Sequence, residues 1–294
     1  MFFFPFLSRL PLRLLFAIGD LLAFLAHHVI RYRLKVVRSN IALCFPGLSS
    51  RAREGIVRNF YHHLADIIVE AVWAGSRRNK SCVKERHMVE IVNPETVDSL
   101  AADGRSMVIL SSHFGNWELS GTIFISNYTG RAFPITEQNY VVVYKKLKSE
   151  RWNRFMKVNR TELLEDPEHF EGYLETNEVL RYVVQHRKEQ KFYNFITDQR
   201  PYRAAKGKLP VTFLGQQCQT MAAAANLAQH FGFSVVYQRM LNVGRGRYTI
   251  EYVPICENAT ATTSQEIMDR YYELLSADIK AQPEQYMWSH KRFK

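Results

Sequence analysis

The sequence predicts an α/β fold: a mixed, mostly parallel central sheet flanked by helices, with an apolar helix at the N-terminus. Three observations carry this. Short continuous apolar runs, such as SMVILSS at 106–112, read as strands covered on both faces, the habit of parallel sheets. These runs alternate with stretches whose apolar residues recur at helical spacing, which is the pattern of strand–helix units. Hydrophobic residues make up 47% and charged residues 23%, ordinary for a folded chain, and 294 residues can bury a sizeable core. A disordered chain and a multi-pass membrane protein are excluded, the latter because one stretch alone is apolar enough to consider.

That stretch lies in MFFFPFLSRLPLRLLFAIGDLLAFLAHHVI. Its apolar run from Leu14 to Ile30 is marginal for a span, which needs about 20 residues, and Asp20, His27 and His28 interrupt it. Two membrane readings stand. A single-pass anchor would have Arg31, Arg33, Lys35 and Arg38 holding the following chain in the cytoplasm. An interfacial helix would bury its Phe and Leu side chains in lipid while Arg9 and Arg13 snorkel. A helix packed on the protein's own core is the third possibility. No small-residue cleavage site follows, so a cleaved signal peptide is not expected. The division expected is residues 1–35 as a membrane anchor or interfacial helix and 36–294 as one domain.

Residues 50–75 place Ile56, Phe60, Leu64, Ile67, Ile68 and Ala71 at helical spacing. His62 and His63 lie on this helix without a carboxylate or Cys at ligand spacing, so they read as surface or core histidines. After the strand at 106–112 comes HFGNWE at 113–118, then a helix-like segment to about Ser126. RAFPITEQ at 131–138 reads as a second strand, and a helical region follows through Lys157. Residues 168–187 look helical. KFYNFITDQ at 191–199 is a strand ending near Asp198, and KLPVTFLG a short one. TMAAAANLAQHFG is an Ala-rich helix closed by Gly232. SVVYQRM and YTIEYVPI are strands around the turn NVGRGR. Thr263 and Glu266 form a capping-box pattern before the last helix.

Net charge is +11, which favours an anionic partner: nucleic acid, acidic lipid or an acidic carrier protein. Four cysteines, Cys44, Cys82, Cys218 and Cys256, sit far apart with no C-x-x-C spacing, so they read as reduced thiols of a reducing compartment. No nucleophile elbow, P-loop, dinucleotide fingerprint or H-E-x-x-H motif is present. No metal site is expected.

His113 and Glu118 are the most informative pair. They sit just past a buried strand and in the first turn of the next helix, and ligands of open α/β sheets bind at the carboxyl ends of strands. A carboxylate five positions on can fold back to fix the imidazole's tautomer, leaving the other ring nitrogen to take a proton from a hydroxyl. Gly115 permits close backbone approach, and neighbouring N–H groups could stabilise an oxyanion. Spacing alone leaves open a capping His and a Glu favoured by the helix dipole.

SSHFGNWELSG at 111–121 resembles the H-x-x-x-x-D/E block of the glycerolipid-type acyltransferase superfamily. Three further segments resemble the bacterial lipid A late acyltransferases, the lauroyl/myristoyl transferases: RSNIALCFPGLSS at 38–50, TDQRPYRAAKGKLPVTFLGQQCQT at 197–220 and PEQYMWSHKRFK at 283–294. The likeness covers nearly the whole chain. It implies a single acyltransferase-like domain that moves a fatty acyl chain from acyl carrier protein to a hydroxyl of a lipid A precursor. That activity would sit on the cytoplasmic face of the inner membrane. It implies His113 as general base and Glu118, where the superfamily usually has Asp, as its orienter. Attack would be direct, with no acyl-enzyme intermediate, metal or other cofactor. Arg160 and Asp198 match the family's central Arg and second-block Asp. With Asn116 and Gly115 they form the expected substrate-binding set, although structural ion pairs would also account for Arg160 and Asp198. His290, Lys291 and Arg292 would bind an anionic headgroup or form a solvated basic tail. The partners implied are acyl carrier protein, an anionic lipid acceptor and the membrane, with no nucleic acid. The competing readings are transfer to another membrane acceptor (a glycolipid, aminolipid or lysophospholipid), a non-catalytic membrane scaffold, and a basic nucleic-acid-binding protein. The last lacks any binding motif.

Overall fold

The computed structural model describes residues 6–146, 148–202 and 207–293. Residues 1–5, residues 203–206 of the 197–220 segment and the final lysine of the 283–294 segment lie outside that description. Helix α1 (Leu12–Phe24) runs into a π-helical turn (Leu25–Val29) and is followed by α2 (Leu34–Cys44), the long α3 (Ser50–Ala74) and α4 (Lys80–Glu85). Then come β1 (Val89–Ile91), α5 (Pro94–Ala101), β2 (Met107–Ser111) and 3-10 turns over Trp117–Ile125. Next are β3 (Tyr140–Tyr144), α6 (Glu150–Thr161), β4 (Tyr173–Glu175), α7 (Val179–Gln185) and β5 (Phe192–Ile196). The chain closes with β6 (Lys208–Phe213), β7 (Gln216–Met221), α8 (Ala223–Phe231), β8 (Ser234–Gly244), β9 (Arg247–Cys256) and α9 (Ser264–Ala281).

Seven strands form one sheet in the order β1-β9-β8-β2-β5-β3-β4. All pairs are parallel except the β8–β9 hairpin, so the mixed, mostly parallel sheet is as expected. β6 and β7 form a separate antiparallel pair. Alternation along the strands divides the core in two. Val108, Leu110, Val143 and Tyr237 point to one face, under α2, α7, α8 and α9. Met107, Ile109, Tyr140 and Val236 point to the other, under α1, α5 and the 3-10 turns. The long α3 serves both, with Phe60 on the first side and Val69 and Trp73 on the second.

Two local expectations differ from what is seen. The strand after the 3-10 turns is Tyr140–Tyr144, not 131–138. The β-branched run YVVVY is the buried strand, whereas Pro134 carries no N–H for a ladder. Within 168–187 only Val179–Gln185 is helical. Tyr173–Glu175 is instead drawn onto β3, where Val142 N–H donates to the Gly172 carbonyl at 2.6 Å. The caps at Gly232, left-handed at φ 68°, and at Thr263–Glu266 form as expected.

By length and composition Leu12–Val29 could cross a membrane. One face of α1 is packed on the body: Leu12 and Leu15 are buried, and Asp20 pairs with Arg245 at 2.7 Å, which also holds Asp66 of α3. The other face leaves Leu14, Leu21, Leu22 and Phe24 exposed.

Candidate active site

The site is built at the carboxyl ends of β2 and β5. These strands are parallel neighbours, with Ser111 opposite Ile196. Two residues further along each chain stand His113 and Asp198, which therefore meet side by side. Asp198 is 1% exposed, and its Oδ1 accepts from both the His113 backbone N–H (3.0 Å) and His113 Nδ1 (2.8 Å). Burial pulls the Asp198 carboxyl upward, but the neighbouring His113 and the more distant charge of Arg292 outweigh it, and its pKa lies below the ordinary aspartate value. A carboxylate on Nδ1–H leaves Nε2 with the lone pair. Gln199 Nε2 lies 3.2 Å from that nitrogen and donates to it.

Asp198, rather than Glu118, thus holds the imidazole. Glu118 faces the other way. Its carboxylate takes two hydrogen bonds from Arg160, Nε at 2.9 Å and Nη2 at 2.8 Å, and a third from Trp117 Nε1 at 3.0 Å. Arg160 Nη1 donates to the Tyr173 hydroxyl at 3.0 Å. Burial works against the Arg160 charge, but Glu118 and Tyr173 overcome it, so the guanidinium is held more firmly protonated than usual. Among the described residues no hydrogen bond joins Glu118 to His113. Trp117 separates them, packed edge-on to the imidazole at 5.0 Å between ring centres. The five-residue spacing that suggested a fold-back is taken up by the 3-10 turns, which carry Glu118 toward α6.

The two other expected contacts are also placed elsewhere. Asn116 is fully buried, and its Nδ2 donates to Glu70 of α3 at 2.7 Å; it does not line the cavity at the site. Gly115 has φ 69°, and a Cβ there would lie 2.6 Å from the Met240 carbonyl oxygen, so the close approach it permits is to β8. The C-terminal cluster divides. His290 lines the cavity, Lys291 is exposed, and Arg292 is 2% exposed over the rings of Phe213 and Tyr272. Arg292 is thus neither a solvated tail nor an open headgroup contact.

His113, Glu118 and Arg160 border a cavity of about 1050 Å³. This is just above the usual span of small-ligand sites, about 300–1,000 Å³. It reaches both faces of the sheet around the ends of β3 and β5. Phe124 and Val142 line it on one side, and Phe195, Leu227 and Phe231 on the other. Lys145, Lys146, Lys148 and Arg200 also border it.

Sequence reading missed the grip on the active-site loop from α3. His63 Nε2 donates to the Gly115 carbonyl at 3.0 Å, and Glu70 receives Asn116. The signal was present: these two polar residues are seven apart, on one side of a helix whose neighbours there are apolar. Burial depresses the His63 pKa to about 4 and lifts the Glu70 carboxyl to about 8.

A proton acceptor braced by a buried carboxylate, beside a lipid-sized apolar cavity, can deprotonate a hydroxyl next to a bound hydrocarbon chain. The whole chain, residues 1–294, matches the family described as bacterial lipid A biosynthesis acyltransferase. It is 24% identical to the lipid A biosynthesis lauroyltransferase of Escherichia coli strain K12, over 97% of this chain and 87% of that one. It is 20% identical, with the same coverage, to the lipid A biosynthesis palmitoleoyltransferase of the same organism and to a lipid A biosynthesis acyltransferase of Shigella flexneri. The chain belongs to the bacterial lipid A biosynthesis acyltransferase family.

Gly115→Ala should destabilise the fold by about 1–2 kcal/mol from its left-handed backbone alone, and by more from the clash with Met240; the thermal midpoint measures it. His63 gives a pH signature. Its folded pKa lies below the unfolded value of 6.5, so the unfolded chain binds the proton first, and stability falls as pH drops from 6.5 toward 4. The loss should approach about 3 kcal/mol. His63→Gln should abolish that part of the acid sensitivity, seen as the difference between the two stability–pH curves. Glu70 acts in the opposite sense between 4.5 and 8 and cancels in that difference.

Proposed function

We propose that this chain transfers a fatty acyl group from acyl carrier protein to a hydroxyl of a lipid A precursor, by direct attack and without an acyl-enzyme. The observation that carries the reading is the 2.8 Å contact between His113 Nδ1 and buried Asp198 at the edge of the apolar cavity. The acceptor hydroxyl displaces the Gln199 amide from Nε2 and gives its proton to that nitrogen. Its oxygen attacks the thioester carbonyl carbon while Asp198 stabilises the imidazolium. The tetrahedral oxyanion collapses, the carbon–sulfur bond breaks, and the carrier thiolate takes the proton back from the imidazolium.

Arg160 lines the same cavity, and Glu118 and Tyr173 fix its guanidinium in one orientation. We assign it to the thioester oxygen, with Glu118 as its holder. A thioester is already activated, so proton removal and oxyanion stabilisation are sufficient. The basic residues around the cavity suit an acidic carrier and a phosphorylated acceptor. Residues 1–35 serve as the membrane-associating segment and 36–294 as the transferase body, on the cytoplasmic face of the inner membrane. Because one face of α1 is packed on α3, the helix lies in the interface with its exposed face in lipid.

His113→Ala should lower turnover by about 10²–10⁴-fold with the fold intact. Asp198→Asn should approach that loss, because an amide at 198 no longer stabilises the imidazolium. Glu118→Gln should also be severe, through release of Arg160. Turnover near wild type in a folded His113→Ala protein would overturn the mechanism, and a folded Asp198→Asn protein at full rate would remove Asp198 from it. Mass spectrometry of the host's lipid A, with and without the gene, should show loss of one acyl mass; unchanged lipid A with a change in another lipid would identify a different acceptor. Replacing Leu21 and Phe24 by Gln together should weaken binding to anionic phospholipid vesicles by about tenfold or more, and unchanged binding would remove this face as the lipid contact.

A further inference from the structure

The loop from Ser112 to Asn116 has no repeating backbone structure, yet it must aim His113 and lead into Glu118. Some of its ties are main-chain bonds, and the side chains of His63 and Asp198 hold its backbone at Gly115 and His113. The His113 carbonyl accepts from Met287 N–H at 3.1 Å, and Gly115 N–H donates to the Gln285 carbonyl at 3.1 Å. Asn116 adds a tie through its own side chain to the helix behind the loop. It lies three residues after His113 and two before Glu118, and it sends its side chain inward, away from the cavity. There Glu70 Oε2 accepts from Asn116 Nδ2 at 2.7 Å and from the Tyr248 hydroxyl of β9 at 2.9 Å. Both Glu70 and Asn116 are fully buried. A carboxyl group at 0% exposure is costly, and the chemistry proposed above gives it no direct part.

We propose that Glu70 is a positioning residue for acyl transfer: by fixing Asn116 against α3 and β9, it holds the loop so that His113 and the Glu118–Arg160 pair face one cavity. This inference rests on the acyl-transfer reading of the site. Glu70 accepts both bonds through a single oxygen, so what the loop requires of position 70 is a carbonyl-type acceptor rather than a negative charge. Burial favours the neutral acid at ordinary pH, in keeping with that requirement. Glutamine offers the same oxygen at the same reach. Leucine fills similar space but leaves the Asn116 amide with a donor to satisfy elsewhere, and the loop moves with it.

The test is steady-state transfer from acyl carrier protein thioesters to a lipid A precursor, by the full-length protein and its Glu70→Gln, Glu70→Leu, Asn116→Leu and Glu70→Leu/Asn116→Leu variants. In Glu70→Leu, kcat should fall by about 10²-fold, the penalty expected for a misplacement near 1 Å. The KM for the thioester should stay within about twofold, because the cavity wall is untouched. Glu70→Gln should keep kcat within about fivefold of wild type. The double variant should lose no more than the worse single one, since both changes cut one link. Wild-type kcat in folded Glu70→Leu or Asn116→Leu, a Glu70→Gln loss as large as that of Glu70→Leu, or additive losses would each overturn the proposal. If Glu70→Leu does not fold, Glu70→Gln and Asn116→Leu decide it by the same criteria. His113→Ala is measured in parallel. Retained activity there overturns the acyl-transfer reading and this inference with it, whereas its full loss beside unaffected Glu70 and Asn116 variants overturns this inference alone.

Discussion

The register between β2 and β5 is the constraint on which the site depends. Ser111 stands opposite Ile196, so two steps on, just past the ladder, His113 and Asp198 come side by side. The backbone N–H of His113 and its Nδ1 then converge on one carboxylate oxygen. A one-residue slip of either strand would turn these side chains to opposite faces of the sheet. That register is held by buried apolar residues on both faces, Val108 and Leu110 on one, Met107 and Ile109 on the other.

The loop that leaves β2 is braced from behind by polar groups placed where water is excluded. His63 and Glu70, two turns apart on α3, take the Gly115 carbonyl and the Asn116 amide. Burial favours the neutral form of each, lowering the basicity of His63 and the acidity of Glu70. Neutral hydrogen bonds suit this position because they hold the loop without adding a buried charge near the His113–Asp198 pair. The charged pair of the site, Glu118 and Arg160, lies at the cavity wall, where each remains partly accessible.

The same long helix joins the site to the N-terminal segment. Asp66 lies one turn before Glu70 and shares Arg245 with Asp20 of α1. Tyr248, which meets Glu70, follows Arg245 in the β8–β9 hairpin region. α1 and the His113 loop are therefore fastened to one side of a single helix, through Asp66 for the first and His63 and Glu70 for the second.

Much of this was legible in the residues. The buried strand before HFGNWE, the capping box at Thr263, the Gly232 stop and the pairing of alternation with helical spacing all report local conformation, and local conformation follows from nearest neighbours along the chain. So does the placing of His113 at a strand's carboxyl end. The sequence also singled out His113, Glu118, Arg160 and Asp198, and the fold brings these four to one region around the cavity. Only the tertiary structure decided who meets whom. Asp198 is 85 positions from His113 and reaches it because β5 inserts beside β2, while Glu118, five positions away, is carried off to Arg160 by 3-10 turns. Periodicity records which face a side chain occupies. It carries no record of which strand lies next door, because that choice is made by packing between distant segments.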